Sequence, residues 1–215
     1  MTDPVPALKD GVSRAKAAHV WKRDPFDFYV EPFEASRMLF RVESFGRTVY
    51  DPACGLGRIV TEARAAGYEA WGTDIVARNP ECLTERDFLD GNESPHRPDA
   101  IVCNPPFKHC SQAANFAFVR RALEEAAHKV ALLLPANWHC GLRVSKFLQT
   151  TPLCRYYVIA PRPSMPPGAV IEAGIKPRNG RQDFAWYVFL KGFTGSPTMH
   201  WLTPDILTTK ESEHG

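Results

Sequence analysis

The sequence predicts an α/β fold built on a largely parallel sheet, and three observations carry that expectation. Strand-like and helical patterns alternate regularly from residue 48 onward. A glycine turn, Gly55-Leu56-Gly57, stands where the first strand gives way to the first helix of that alternation. Residues 129–134 form a continuous apolar run, the pattern of a strand covered on both faces.

Taken in order, residues 8–21 are weakly amphipathic and end at the Asp24-Pro25 breaker. Residues 26–32 are aromatic and extended, and a short helical pattern follows over 33–43. Residues 48–51 read as the first strand, 58–66 as a helix and 69–74 as the second strand. A short acidic strand is expected around Asp87-Phe88-Leu89, and a fourth at 99–103 with a long helix over 111–127 behind it. The fifth strand is the run at 129–134, and two late strands are expected at 155–160 and 184–190, the second alternating in aromatic character. The Pro-rich segment 161–168 is the one long irregular insertion, and loops of that kind are often functional. There is no internal repeat or low-complexity tract.

At 215 residues the chain is most economically one domain. The expected organisation is a helical extension over 1–25, a main domain over 26–204 and a tail over 205–215. With 44% hydrophobic and 23% charged residues, the composition is that of a soluble globular protein. No apolar run approaches the roughly 20 residues of a bilayer span, and the N-terminus lacks a secretory pattern. The six cysteines form no CxxC pair, which suggests reduced thiols in a cytoplasmic protein. His109-Cys110 and His139-Cys140 lack the tight spacing of zinc sites, so no metal is expected.

The net charge of +2 is too small to announce a polyanion partner. Between residues 155 and 191, however, Arg155, Arg162, Lys176, Arg178, Arg181 and Lys191 face only Glu172 and Asp183. Such an excess is compatible with phosphate contacts and equally with a solvated loop.

The chemistry concentrates in Asn104-Pro105-Pro106-Phe107, at the end of the fourth strand. The Asn104 side-chain oxygen and the Pro105 carbonyl can each accept a hydrogen bond from an exocyclic amine. The prolines stiffen the turn, and Phe107 can stack on the ring that carries the amine. Trp138 and His139, just after the fifth strand, are core or rim residues or line a base pocket.

Asp51-Pro52-Ala53-Cys54-Gly55-Leu56-Gly57 is the companion motif. Its glycines allow close backbone approach, and the helix that follows offers free N–H donors. A dinucleotide fingerprint fits poorly, because Val60 stands at the third glycine position and Asp51 would repel a pyrophosphate. A ligand with a cationic sulfonium, S-adenosylmethionine, would tolerate that carboxylate. Asp74 is placed for paired ribose hydroxyls, or else caps the next segment. Asp87 can accept from an adenine amino group, with Phe88 as a flat apolar wall.

Together these residues resemble the S-adenosylmethionine-dependent amino-methyltransferases, and in particular the DNA adenine-N6 methyltransferases whose cofactor motif precedes the catalytic one. The resemblance implies a Rossmann-like class I methyltransferase fold, with a mostly parallel seven-stranded sheet and helices on both faces. It assigns Asn104, Pro105 and Phe107 to catalysis. It assigns Asp51, Ala53, Cys54, Gly55, Gly57, Asp74, Asp87, Phe88 and Asn104 to the cofactor. Tyr29-Val30-Glu31-Pro32 is similar to an upstream Tyr-x-Thr-Pro element at the cofactor's methionine end, which adds Tyr29 and Pro32. Glu31 stands where that element has Thr, so a hydroxyl contact does not carry over.

The resemblance covers roughly residues 26–135. Beyond it, residues 162–168, 180–183 and the Trp186 strand are similar to compact methyltransferase-like proteins of phages and prophages. The implied partner is a nucleic acid, DNA ahead of RNA, with the protein a monomer or weak dimer and not at a membrane. RNA adenine or guanine, protein glutamine and a non-catalytic binding module stay open. Lacking a separate recognition domain, the chain would recognise its target through the N-terminal helix, residues 161–168 and the basic stretch to Arg181.

Overall fold

A computed structural model describes residues 27–80, 82–92, 96–175, 180 and 182–208. The expected N-terminal helix, Lys176, Arg178, Arg181 and the last seven residues lie outside the described residues. The strands are β1 (Thr48–Asp51), β2 (Glu69–Asp74), β3 (Cys82–Glu85) and β4 (Ala100–Cys103), then β5 (Lys129–Pro135), β6 (Leu153–Ile159), β7 (Phe184–Leu190) and β8 (Thr198–Leu202). They form one sheet in the order β3-β2-β1-β4-β5-β7-β6-β8. Only β7 runs antiparallel to its neighbours, β5 and β6. The seven expected strands are thus joined by an eighth, β8, lying parallel to β6 at the edge.

Successive strand residues point to opposite faces and so divide the core in two. Val49, Val102, Leu133, Trp186 and Val188 face the side covered by α1 (Phe33–Val42) and α2 (Arg58–Ala65). Tyr50, Ile101, Leu132, Leu134 and Tyr187 face the side covered by α3 (Ala117–Glu125) and α4 (Leu142–Leu148). Each such side chain contributes about 1.5–3 kcal/mol on full burial, so the sheet is held from both faces. On α1, Ala35, Met38 and Leu39 recur at helical spacing on the buried side, with Glu34 in its first turn and Arg41 in its last, as the helix dipole favours. The Trp186 indole donates to the Ala35 carbonyl at 3.0 Å, and Arg37 grips Glu62 of α2 through two bonds at 2.9 and 2.7 Å. Ile206 and Leu207, in the 3-10 turn Pro204–Leu207, also pack against this layer.

Two expected elements are corrected. The third strand is Cys82–Glu85 rather than the stretch around residue 88. Asp87 instead opens a turn, its side chain accepting the Leu89 N–H at 2.9 Å, a habit of Asp that competes with strand pairing. The long helix over 111–127 is shortened to α3, behind the 3-10 turns Phe107–Cys110 and Gln112–Ala114. The break falls at Asn115 and Phe116, both left-handed with φ of 50° and 55°. For Phe116 that conformation costs about 1–2 kcal/mol. Its ring is buried flat on Phe147, centroids 4.1 Å apart, which offsets the strain.

Candidate active site

Three neighbouring parallel strands, β2, β1 and β4, end at the same edge of the sheet, and each ends in a polar side chain. Asp74 closes β2, Asp51 closes β1, and Asn104 follows Cys103 of β4. The carboxyl ends of parallel strands are where open α/β sheets bind ligands. A cavity of about 270 Å³ opens there. Tyr29, Asp51, Ala53, Cys54 and Gly55 line it. Asp74, Asp87, Phe88 and Asn104 line it too, so the glycine turn and the Asn-Pro-Pro turn share one cleft.

Four of the expected residues are not among those lining this cavity. Pro32 is the N-cap of α1. Gly57 is the N-cap of α2, left-handed at φ 73°, its N–H donating to the Cys54 carbonyl at 2.7 Å. Pro105 is buried, and no backbone donor among the described residues takes its carbonyl. Phe107 is half-buried against both core layers, its ring parallel to Tyr29 with centroids 6.4 Å apart.

The glycine turn is tightly drawn. Gly55 is left-handed at φ 49° and donates its N–H to Asp74 at 2.8 Å. A Cβ at Gly55 would lie 2.8 Å from the Phe28 ring, and one at Gly168 only 1.7 Å from it. Phe28 is therefore wedged between two glycines, with the Arg78 guanidinium 4.2 Å above its ring. Arg78 also donates to Asp74 at 3.0 Å. The Gly168 N–H donates to the Phe28 carbonyl at 2.9 Å and the Val30 N–H to the Pro166 carbonyl at 2.9 Å. The Pro-rich loop, which leads into α5 (Gly168–Glu172), thus pins residues 28–30 across the cleft.

The electrostatics are acidic and buried. Burial pushes the Asp51 carboxyl well above its ordinary value, against hydrogen bonds from the Cys103 thiol and the Ala53 N–H, and the nearby Glu31 adds to the rise. Burial likewise raises Glu31, partly opposed by its own backbone and by Asn104. No ion pair among the described residues reaches either carboxylate. Asn104 donates both Nδ2 hydrogens, to the Tyr29 carbonyl at 2.8 Å and to Glu31 Oε2 at 3.0 Å. No donor among the described residues takes its Oδ1, which leaves that atom as the acceptor available to a ligand.

Reading the chain by motif missed Phe28, Arg78 and the reach of Glu31 to Asn104. Glu31 sat in a motif that was recognised, but nothing in the linear order points to a partner 73 positions away. Trp138 and His139 lie outside the cavity: the Trp138 indole donates to the Cys110 carbonyl at 3.1 Å, and His139 contacts the Tyr187 hydroxyl at 3.1 Å. Of the basic stretch, Arg155 is engaged by Glu43, Arg162 by Asp183, and Lys191 by the Ala126 carbonyl. Among the described residues no group of three or more His, Cys, Asp or Glu side chains could hold a metal ion, and no helix is long and apolar enough to cross a membrane.

No protein-family model matches the sequence, and no curated protein matches it either. Solved structures do match. The chain is similar to the type I restriction-modification methyltransferase subunit of Streptococcus thermophilus, with a TM-score of 0.54 and 14% identity over 77% of this chain and 45% of that one. It is similar to the M protein of the type I restriction enzyme EcoKI, with a TM-score of 0.54 and 14% identity over 80% of this chain and 45% of that one. A protein of Pyrococcus horikoshii named as a candidate RNA methyltransferase gives a TM-score of 0.52 and 16% identity over 74% of this chain and 83% of that one. The fold is the Rossmann-like fold of class I methyltransferases. The chain spans less than half the length of the two restriction-system subunits.

Proposed function

We propose that the chain is an S-adenosylmethionine-dependent methyltransferase acting on an exocyclic amino nitrogen, with N6 of adenine in DNA as the leading target. The observation that carries this reading is Asn104, whose amide presents an unoccupied Oδ1 in the same cleft as Asp51 and Gly55. The cleft suits the cofactor chemically. Asp51 is a buried acid without an ion pair among the described residues, a setting that favours a ligand bearing a sulfonium charge. Asp74 would hold ribose hydroxyls, and Asp87 with Phe88 the adenine.

Bound there, S-adenosylmethionine would supply an electrophilic methyl group on sulfur. The protein's own task is then alignment and electrostatic support. Asn104 Oδ1 and the Pro105 carbonyl accept the two amine hydrogens, which draws the nitrogen lone pair out of conjugation with the ring. Phe107, parallel to Tyr29, offers a face for that ring. On accepting the methyl group, the amine nitrogen held by Asn104 would release one proton to water. An adenine within a duplex must be flipped out, at a few kcal/mol.

DNA is favoured by the Asn-Pro-Pro-Phe turn and by the likeness to the restriction-system subunits; RNA is the second reading, favoured by the Pyrococcus protein, most of whose length is matched. Labelled S-adenosylmethionine offered with unmethylated DNA, RNA and protein separates the cases, followed by nucleoside mass spectrometry. N6-methyladenine in DNA is the expected product. Label in RNA alone moves the target, and cofactor binding without transfer to any polymer makes the chain a binding module.

A further inference from the structure

An amide's oxygen and nitrogen ends are nearly equal in size, so packing alone does not decide which of Asn104 Oδ1 and Nδ2 faces the cleft. The choice is made by what stands behind the amide. Here two acceptors do: the Tyr29 carbonyl at 2.8 Å and Glu31 Oε2 at 3.0 Å from Nδ2. A carboxylate accepts and cannot donate, so a reversed amide would set oxygen against oxygen on that side. It would also present a donor to the substrate's own N–H groups.

Glu31 is held firmly enough to impose this. Its carbonyl accepts from Arg58 of α2 at 2.8 Å, the Val30 N–H is bound by the Pro-rich loop, and Tyr29 bridges to Pro167. The residue is only 7% exposed, and its carboxylate has no ion pair among the described residues. A carboxylate buried in that way lowers stability relative to an apolar residue of similar size. Stability therefore does not explain Glu31, whereas orientation of Asn104 does.

We propose that Glu31 is a positioning residue for methyl transfer, fixing the Asn104 amide so that Oδ1 is turned toward the substrate amine. This rests on the function proposed above and adds to it a residue from outside the catalytic turn. The role needs an acceptor at that point, not a charge.

The test compares the full-length protein with Glu31→Leu and Glu31→Gln. Three quantities are read: single-turnover transfer to the polymer the wild type methylates, calorimetric affinity for S-adenosylmethionine, and melting temperature. The Leu variant is expected to slow transfer about 10–100-fold, the range for residues that orient a functional group, with cofactor affinity within about threefold of wild type and melting not lowered. The Gln variant, which keeps a carbonyl acceptor, recovers most of the rate. Wild-type transfer in the Leu variant overturns the proposal. So does a loss in the Leu variant that is matched by lost cofactor affinity or a lowered melting temperature, or a Gln variant as slow as Leu.

An orientation readout keeps the test independent of turnover. The Asn104 side-chain NH2 should exchange with solvent at least about tenfold faster in the Leu variant than in the wild type, once a buried acceptor is removed. Equal exchange in both overturns the positioning role even where no polymer is methylated. Faster exchange together with a wild type inert on every polymer removes the proposed function and leaves the contact standing.

Discussion

At the N-terminal ends of the parallel strands, Glu43 is buried among Lys129, Arg155 and Tyr157; at their C-terminal ends, Glu31 and Asp51 are buried with no ion pair among the described residues. Glu43 receives Lys129 Nζ at 2.8 Å, Arg155 Nη2 at 3.1 Å and the Tyr157 hydroxyl at 2.9 Å. Burial alone would raise its carboxyl, yet the hydrogen bonds from Arg155 and Lys129 hold it below its ordinary value. Glu31 and Asp51 are raised instead: burial outweighs the Asn104 hydrogen bond and the nearby Arg58 at Glu31, and at Asp51 no cation among the described residues forms an ion pair. One end of the sheet is complete within the chain. At the other, Asp51 is buried without an ion pair among the described residues, the setting on which the proposed binding of a cationic ligand rests.

Substitutions at the two ends should therefore differ in kind. The largest effect is expected from Asn104→Ala, which should reduce transfer by about three orders of magnitude while leaving melting and cofactor binding near wild type. Loss of cofactor affinity in that variant would mean that Asn104 is part of the binding wall alone. Next is Glu43→Gln, which strands the buried Lys129 ammonium and should cost about 3 kcal/mol in urea unfolding without altering cofactor affinity.

Asp51→Asn should act in the opposite sense. It removes a buried charge, so the ligand-free protein should melt higher, while calorimetry should show S-adenosylmethionine binding about tenfold weaker, the scale of one charge contact in a partly desolvated site. A variant less stable than wild type would place Asp51 with Glu43 as a structural acid.

The pH dependence sharpens the same contrast. Asp51 and Glu31 have raised folded-state values, so their contribution to stability is full below their unfolded values near 4 and is lost as pH rises through the raised ones. Glu43 has a lowered value, so its contribution is present above its unfolded value near 4.3 and is lost as pH falls through the lowered one. Urea unfolding across pH should therefore show the advantage of Asp51→Asn growing with pH, and the deficit of Glu43→Gln shrinking in acid. The smallest effect is expected from Gly55→Ala, where a left-handed φ and the nearby Phe28 ring should cost about 1 kcal/mol of stability. A neutral result there would mean that Phe28 gives way easily.

Much of this site was legible before the fold was known. The turns at Gly55 and Asn104 were placed correctly at strand ends, as were Asp51 and Asp74, because apolar runs such as 129–134 and 184–190 mark strands whatever their neighbours. Phe116 was misread because its left-handed backbone is stabilised by a ring 31 residues away, which no local pattern records. Strand β8 went unseen because, of its five residues, only Leu202 is buried, so it carries no alternation to detect. Glu31 was recognised as a departure from the motif, but its contact with Asn104 was not.

What the amino-acid order determines here is the local chemistry: which segments extend, where glycine permits a tight turn, and which side chains can accept from an amine. What the tertiary structure alone decides is how those groups meet. Hydrogen bonding from Asn104 to Glu31, the wedging of Phe28 between Gly55 and Gly168, and the pairing of Glu43 but not Asp51 all depend on chain crossings between segments distant in sequence. The physical reason is that burial and hydrogen-bond partnership are properties of a packed neighbourhood, and a neighbourhood exists only once the sheet has brought its strand ends together.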